Sequence, residues 1–379
     1  MRHTREARSR FLFSAAVLLA LGFAAPFPAR AQALDGRWIL DFDRVDGRVQ
    51  LTIKRSSAHG NWNSSSGYEM QEFRGLSRPA GSKSAPARFE LVRDAGTIRF
   101  EGELDDAGGS GRFQFAGNPE FESFWKSTGN STLTTDSLFA FTLHDVSRRF
   151  IGDLGSLGYE HLPAERLISM RIHGANPEFI RELKGLGYDR LPVDGLISMR
   201  IHGASPEFIR ELKTLGYDRL PVEELVSMRI HGASPEFVRE LKALGYDRLP
   251  AEELVSMRIH GASPEFVREM KSLGYDRLPV EGLVSMRIHG ASPEFVREMK
   301  SLGYERVPLD GLVSMRIHGV SPEYVRQLQA LGFKRVPVDE LVSMRIHGVS
   351  IDFARKMKER YEDVTVDELV NMRIHGRSR

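Results

Sequence analysis

The chain of 379 residues contains no cysteine. This absence excludes disulfide bridges, thiolate metal sites, catalytic thiols and a lipid anchor on an N-terminal cysteine. An excess of one charge is also missing, since 53 Lys and Arg stand against 51 Asp and Glu. Residues 1–31 carry five arginines and one glutamate, so the remainder has 48 basic and 50 acidic residues. Because the two signs alternate along the chain and form no basic stripe, we expect no nucleic-acid partner.

Sequence motifs of enzymes are equally scarce. The chain has no His-Glu-x-x-His, no Gly-x-Ser-x-Gly and no phosphate-binding glycine loop. The glycine-rich run at 108–111 follows a predicted strand but leads into another strand, whereas a nucleotide loop leads into a helix. We therefore expect a non-enzymatic protein with no catalytic residue, no metal and no cofactor. A hydrolase is kept as the weakest alternative.

Long apolar runs are confined to one segment near the N-terminus. Residues 11–25 are almost entirely apolar, arginines precede them, and Ala-Arg-Ala follows at 29–31. This order is typical of a signal peptide with its peptidase site, and the run is shorter than the about 20 residues of a membrane helix. We expect residues 1–31 to be a Sec-type leader cleaved after Ala31 and the protein to be periplasmic or secreted. An uncleaved leader is the alternative, and it would provide the only membrane contact.

Internal repetition dominates the rest of the chain. The hexapeptide Met-Arg-Ile-His-Gly-Ala, or a close variant, returns every 29 residues, and the fifth and sixth units agree at 25 of 29 positions. Its histidine stands at His144, His173, His202, His231, His260, His289, His318, His347 and, one residue early, His375. The nine units begin at Asn118, Ser147, Asn176, Ser205, Ser234, Ser263, Ser292, Ser321 and Ser350. Such identity predicts an all-α solenoid over 118–377, in which each unit buries its apolar face against its neighbours.

Each unit reads as two short helices, shown here for the fifth. Ser234 and Pro235 suit an N-cap and the first turn of helix A, and Gly245 suits its left-handed C-terminus. Pro250 then opens helix B, which runs to Gly261. The predicted apolar stripes are Phe237, Val238, Leu241 and Leu244 on helix A and Leu254, Val255, Met257 and Ile259 on helix B. The first and last units depart from the consensus, for example at Asn130 and Arg360, and we expect them to be caps.

The region 34–117 changes from a period of 3.6 to a period of 2. Strands are predicted at Trp38–Leu40, Val49–Ile53, Phe89–Val92, Thr97–Leu104 and Arg112–Phe115. Ser56–Tyr68 and Ser77–Ala87 are rich in Ser, Gly, Asn and Pro and are predicted to be mobile loops. The fold class is therefore α+β with two domains: a small antiparallel β sandwich or open barrel, completed by packing on the first helical unit, followed by the solenoid.

The repeated serine and histidine of helix B are the candidate binding residues. On a helical wheel they share the face away from the apolar stripe. The candidate ladder consists of Ser198, His202, Ser227, His231, Ser256, His260, Ser285, His289, Ser314 and His318, with Ser169, His173, Ser343 and His347 at its ends. Rungs about 10 Å apart cannot share one metal ion, whose ligands lie within about 2.2 Å of it. Three roles stay open: capping of helix C-terminal carbonyls by histidines that block duplication copied, a partner-binding ladder, and metal or pH sensing by single rungs.

Two other repeated residues require a structural explanation. The arginine before the isoleucine, such as Arg258, falls inside the predicted apolar arc, and we expect an ion pair with a glutamate of its own or a neighbouring repeat, for instance Glu236 or Glu253. The tyrosine after each helix A, such as Tyr246, is predicted to pack in the turn rather than to form a stacking platform on the surface.

Two resemblances bear on function. Gly36-Arg37-Trp38 resembles the Gly-x-Trp that opens the first strand of lipocalins and implies a calycin-like β domain. Ser-Pro-Glu-Phe-Val-Arg at 263–268 and Met-Arg-Ile-His-Gly at 286–290 resemble repeats of uncharacterised exported bacterial proteins and of extracytoplasmic extensions of BlaR1-type membrane peptidases. The peptidase zinc motif is absent, so this resemblance implies sensing or interaction. We expect a protein-interaction scaffold or sensor of the cell envelope that binds a protein or an extended ligand. The alternative is a ligand-binding β module with the solenoid as a spacer.

Overall fold

A computed structural model describes residues 34–42, 47–57 and 60–376. The predicted signal peptide at 1–31 lies outside the described residues. The chain divides into two compact units, Met1–Ser147 and Arg148–Arg379. The first contains an antiparallel sheet with one helix pair, and the second contains stacked helix pairs, so the predicted α+β class is confirmed.

The sheet has seven strands in the described residues and is curled into a half-barrel. The strands are β1 (Leu34–Phe42), β2 (Arg48–Ser57), β3 (Gly60–Glu69), β4 (Phe73–Arg74), β5 (Ala85–Arg93), β6 (Gly96–Leu104) and β7 (Gly108–Gly117). Their order is β3-β2-β1-β7-β6-β5-β4, with antiparallel pairing throughout. The meander β1–β3 and the meander β5–β7 are therefore joined by the pairing of β1 with β7. Of the two predicted architectures, this single curled sheet corresponds to the open barrel.

The predicted loop over Ser56–Tyr68 is wrong, because most of it forms the edge strand β3. Serine has a low β propensity, but pairing with β2 along its whole length overrides that preference. Ser65 strengthens the pairing, since its hydroxyl lies 2.8 Å from Gln50 Nε2 and 2.9 Å from Thr52 Oγ1. The second predicted loop is shorter than expected, because β5 begins at Ala85.

The concave side of the sheet is filled by aromatic rings and closed by the first helix pair, α1 (Pro119–Ser127) and α2 (Thr135–His144). Phe139 of α2 stacks on Phe113 of β7 with ring centroids 5.4 Å apart. The Tyr68 hydroxyl donates a hydrogen bond of 3.3 Å to the Leu143 carbonyl. Arg93 adds ion pairs with Glu72 and with Asp145. The expectation that the first helical unit completes the β core is confirmed, and this pair belongs to the compact unit of the sheet.

The second unit continues the alternation of helix A and helix B. The helices A are α3 (Arg148–Ser156), α5 (Pro177–Gly185), α7 (Pro206–Thr214), α9 (Pro235–Ala243), α11 (Pro264–Ser272), α13 (Pro293–Ser301), α15 (Pro322–Ala330) and α17 (Ile351–Arg360). The helices B are α4 (Ala164–His173), α6 (Val193–His202), α8 (Val222–His231), α10 (Ala251–Ile259), α12 (Val280–His289), α14 (Leu309–Ile317), α16 (Val338–Ile346) and α18 (Val366–His375). Each helix has about three turns, so stacking must supply most of its stability.

Local sequence explains where each helix begins and ends. Ser234 caps α9, its hydroxyl accepting a 3.3 Å hydrogen bond from the Phe237 amide. Gly245 follows α9 with φ +96°, a left-handed conformation that glycine adopts without steric cost. Pro250 is the N-cap of α10, and Gly261 with φ +71° ends that helix. The predicted caps are confirmed, with Pro250 one position outside the helix.

Adjacent repeats are joined by their tyrosines. The Tyr246 hydroxyl donates a 2.8 Å hydrogen bond to the Leu278 carbonyl, 32 residues later in the next repeat. The same bond is made by Tyr159, Tyr188, Tyr217, Tyr275 and Tyr304 at 2.7 to 2.8 Å. Burial raises the pKa of these phenols, that of Tyr304 to about 12. The turn-packing prediction is confirmed, and each tyrosine also fixes the register of two repeats.

Candidate interaction surface

The surface formed by the helices A is a network of charges that neutralise one another. Arg210 of α7 contacts Glu182 of the preceding repeat at 2.6 Å and Glu207 of its own helix at 3.0 Å. Equivalent bridges to the preceding repeat are Arg239–Glu211, Arg268–Glu240, Arg297–Glu269 and Arg326–Glu298. All of these side chains are about half exposed, so solvent screens each bridge and its contribution to stability is small. These ion pairs place the arginine of each repeat against a glutamate of the preceding repeat, so the charges of this surface are already paired within the protein.

The last turn of each helix B presents an apolar side chain to solvent. Ile259 is 54% exposed, although the helical wheel placed it in the apolar stripe. That prediction is wrong, because the buried face of α10 is formed by Ala251, Leu254, Val255 and Met257, and Ile259 lies outside it. The same exposure, 48% to 55%, is found for Ile172, Ile201, Ile230, Ile288, Ile317, Ile346 and Ile374. These isoleucines, with the arginine before and the histidine after each, form what we call the B ridge.

The arginines of the B ridge are held by aromatic rings. The Arg258 guanidinium carbon lies 5.1 Å from the centroid of the Phe237 ring on helix A of the same repeat. No ion pair of Arg258 with Glu236 or Glu253 is found in the part of the chain that the structure describes; the carboxylate that Arg258 influences is that of Glu265 in the next repeat, whose pKa it helps to lower. The Phe237 ring stabilises the guanidinium charge by a cation–π interaction, and the Arg258 side chain remains exposed to solvent.

The same arrangement recurs along the ridge with little variation. The guanidinium-to-ring distance is 5.0 to 5.2 Å in every repeat from the second to the ninth. From Arg200 to Arg373, the guanidinium also lies over the glycine that ends the preceding helix B. A Cβ at Gly232 would come within 3.1 Å of Arg258 Nη2. Arg200 Nε donates a 3.3 Å hydrogen bond to the His173 carbonyl at such a helix end. Each of these guanidinium groups is therefore contacted on two sides, by the aromatic ring and by the end of the preceding helix B.

The predicted serine and histidine ladder divides into two parts. His202, His231, His260 and His289 are exposed, as the helical wheel indicated, and His318 is half-buried. Ser198, Ser227, Ser256, Ser285 and Ser314 are all half-buried. Helix B is closed by backbone hydrogen bonds at the glycine: Gly261 N–H donates to the Arg258 carbonyl at 3.3 Å, and the following Ala262 N–H donates to the Met257 carbonyl at 2.8 Å. In the repeats described, no hydrogen bond joins the imidazoles of His202 to His318 to a carbonyl, so the capping role belongs to the glycines.

Acidic groups lie at the opposite end of helix B. Desolvation raises the pKa of Glu253, and repulsion from Glu281 and Glu252 raises it further. Glu265 lies nearer to the ridge, and its pKa is lowered. The main causes are hydrogen bonds to its carboxylate from its own backbone and from Ser263, and the charge of Arg258 makes a smaller contribution. The helix B surface thus has an acidic edge and a basic apolar edge, about 13 Å apart along a helix of nine residues.

Other features of the described regions are less suited to a binding role. No group of three or more His, Asp or Glu side chains there is arranged to hold a metal ion. A groove of about 680 Å³ opens at the turn lined by Tyr275, Lys300 and Arg306, but the Lys300 ammonium already donates to the Leu273 carbonyl at 2.8 Å. Within the described ranges, no helix has the length and apolar character needed to span a membrane.

Comparison of the chain with protein-family models and with curated proteins gives no match. The resemblances to lipocalins and to the extensions of BlaR1-type peptidases therefore stay predictions. The exposed isoleucine was missed by sequence reasoning, although one signal was present. Arg258, Ile259 and His260 are the last three residues before the helix-ending glycine, where a side chain has fewer neighbours to pack against.

Proposed function

We propose that the protein is an exported, non-enzymatic interaction scaffold or sensor of the bacterial cell envelope, which binds a protein partner through the B ridge. The observation that carries this proposal is the row of eight isoleucines, each about half exposed, in an otherwise charged surface. Contiguous exposed apolar side chains on a soluble protein typically mark an interaction site. The leader pattern at residues 1–31 supports export.

The rigidity of the ridge supports a binding role further. The ridge arginines from Arg200 to Arg373 each lie between an aromatic ring and a glycine, so little conformational entropy should be lost when a partner binds. Arginine held in this manner can donate two parallel hydrogen bonds to a carboxylate. The exposed histidines, including His231, His260 and His289, extend the same row and can contribute further hydrogen bonds. Weak contacts repeated on one rigid support combine through effective concentration.

The second candidate function, ligand binding by the β domain with the solenoid as a spacer, has less support. The concave side of the sheet is occupied by stacked rings, with Phe89 and Phe100 at 4.7 Å and Phe113 and Phe139 at 5.4 Å. Trp38 is fully buried among them and donates a 3.0 Å hydrogen bond to the Arg112 carbonyl. A lipocalin-like ligand would have to displace these rings.

Site-specific crosslinking tests the proposal on the full chain. A photoreactive amino acid is placed at Ile259 on the ridge and, in a matched control, at Ala243 on the exposed side of helix A in the same repeat. Expressed in an envelope-bearing bacterial host and irradiated, the Ile259 variant should give defined protein adducts that the Ala243 variant does not. Equal adduct patterns at both positions, or adducts only at Ala243, would refute the ridge as the binding surface.

A further inference from the structure

We propose that the partner of the B ridge is an acidic, extended polypeptide segment in a polyproline II-like conformation, with an apolar side chain at every third residue. This inference rests on the proposed function and adds the class of partner. It follows from the charge, the spacing and the shape of the ridge.

The charge of the ridge selects an acidic partner. In the described repeats, Arg229, Arg258 and Arg287 make no ion pair, whereas the arginines of helix A are bound to glutamates on both sides. The guanidinium groups of these three arginines therefore have hydrogen-bond donors available to an incoming carboxylate. A basic or neutral segment would leave the guanidinium groups without a counter-charge when the segment covers them.

The spacing of the ridge selects the conformation. Successive helices B pack directly on one another, and packed helices have axes about 8 to 10 Å apart. A polyproline II helix advances about 3.1 Å per residue with three residues per turn, so equivalent side chains recur every about 9.3 Å. A β-strand places side chains on one face at about 6.6 or 13 Å, which does not match. One apolar residue of each triplet would then meet one isoleucine.

The distribution of charge along helix B determines where the segment binds. The ridge occupies the C-terminal end of each helix B, and the acidic edge formed by residues such as Glu252 and Glu281 lies at the other end. An acidic segment that crosses the helices at their C-terminal ends lies about 13 Å from that edge and avoids its repulsion. The segment must therefore follow the row of isoleucines from repeat to repeat.

Synthetic peptides of the repeat Glu-Pro-Leu, labelled for fluorescence anisotropy, test the inference with the full-length protein. Affinity should rise with each added triplet and level off at about eight triplets, one for each exposed isoleucine. A peptide of equal length with leucine at every fourth residue should bind at least about tenfold more weakly, and one with lysine in place of glutamate should not bind. Equal binding of either control peptide, or affinity that does not depend on length, would overturn the inference.

Protein variants locate the binding. Ile230→Ser, Ile259→Ser and Ile288→Ser together should weaken binding of the longest peptide about a hundredfold, since each exposed isoleucine should contribute about fivefold through burial of its apolar surface. The matched control replaces the exposed Lys213, Lys242 and Lys271 of helix A by serine and should change affinity less than about twofold. Circular dichroism of both triple variants verifies the fold. A control variant as weakened as the ridge variant would overturn the inference.

Two further outcomes identify a different occupant and would also overturn it. Vesicles containing phosphatidylglycerol that compete fully with the peptide would indicate an anionic membrane surface. Self-association of the protein that is abolished by the isoleucine replacements would indicate a second copy, whose acidic edge covers the ridge. Protein crosslinks at Ile259 without any peptide binding would leave the proposed scaffold function standing and reject only the acidic, extended class of partner.

Discussion

The substitutions Phe266→Ala and Ile288→Ala in one repeat test which of the two apolar side chains is packed in the core and which lies on the surface. Phe266 is 5% exposed and Ile288 is 55% exposed, although the sequence pattern assigns both to an apolar stripe. Removal of a packed phenylalanine ring costs about 3 to 5 kcal/mol of unfolding free energy. Loss of the ring under Arg287, whose guanidinium lies 5.2 Å from its centroid, adds about 0.5 to 1 kcal/mol.

The cost at Ile288 should be far smaller. The substitution removes three carbons that are about half in water, which at about 0.8 kcal/mol per buried carbon gives about 1 kcal/mol. The better helix propensity of alanine offsets about 0.4 kcal/mol of this. Urea unfolding followed by circular dichroism measures both variants, with the exposed His289→Ala as the matched control. A difference between Phe266→Ala and Ile288→Ala below about 1 kcal/mol would refute the assignment of the isoleucine to the surface.

Three further predictions concern the contacts between repeats. Tyr246→Phe should cost about 0.5 to 1.5 kcal/mol in urea unfolding, because the Leu278 carbonyl loses its donor, and an unchanged midpoint would contradict the role of this bond. The pKa of Tyr304 is raised from 10.0 to about 12, so its contribution to stability is complete below pH 10 and is lost as the pH rises through 12. Thermal unfolding should show this loss, and Tyr304→Phe should reduce it. Deletion of the whole repeat 234–262 should leave a shorter folded array, whereas deletion of 234–245 alone should unfold its neighbours; equal melting curves would contradict the repeat boundaries.

Most of the local structure of a repeat can be predicted from the sequence, because it depends on neighbours in the chain. Ser234 caps the helix that it precedes, and Gly245 ends that helix by adopting a positive φ that few other residues tolerate. The tyrosine bond between repeats could be anticipated only as turn packing. Its acceptor, the Leu278 carbonyl, lies 32 residues away and is placed by stacking, which no local pattern specifies.

The errors have one physical origin, which is that a periodic pattern does not show where packing stops. A helical wheel assigns Ile259 to a face, but whether that position is covered depends on which other helices pack against it. Sequence analysis predicted a carboxylate partner for Arg258 because a buried charge normally requires one. In the structure the guanidinium packs on an aromatic ring and its other side is open to solvent, which is enough to accommodate the charge. In the sheet, the serine-rich β3 became a strand because β2 offered a free edge, a tertiary effect that outweighs local propensity.

The exposed isoleucines are hard to explain by stability alone. A half-exposed isoleucine adds little to folding, has a lower helix propensity than alanine, and in a row of eight creates a surface prone to association. Block duplication explains why one copy resembles the next, but the copies have diverged where exposure permits, as at the helix A position that reads Gly185, Thr214, Ala243 and Ser272. The isoleucine position has not diverged in any of the eight repeats of the second unit. Because the fold gains little from that side chain, its retention supports the proposal that a partner contacts the B ridge.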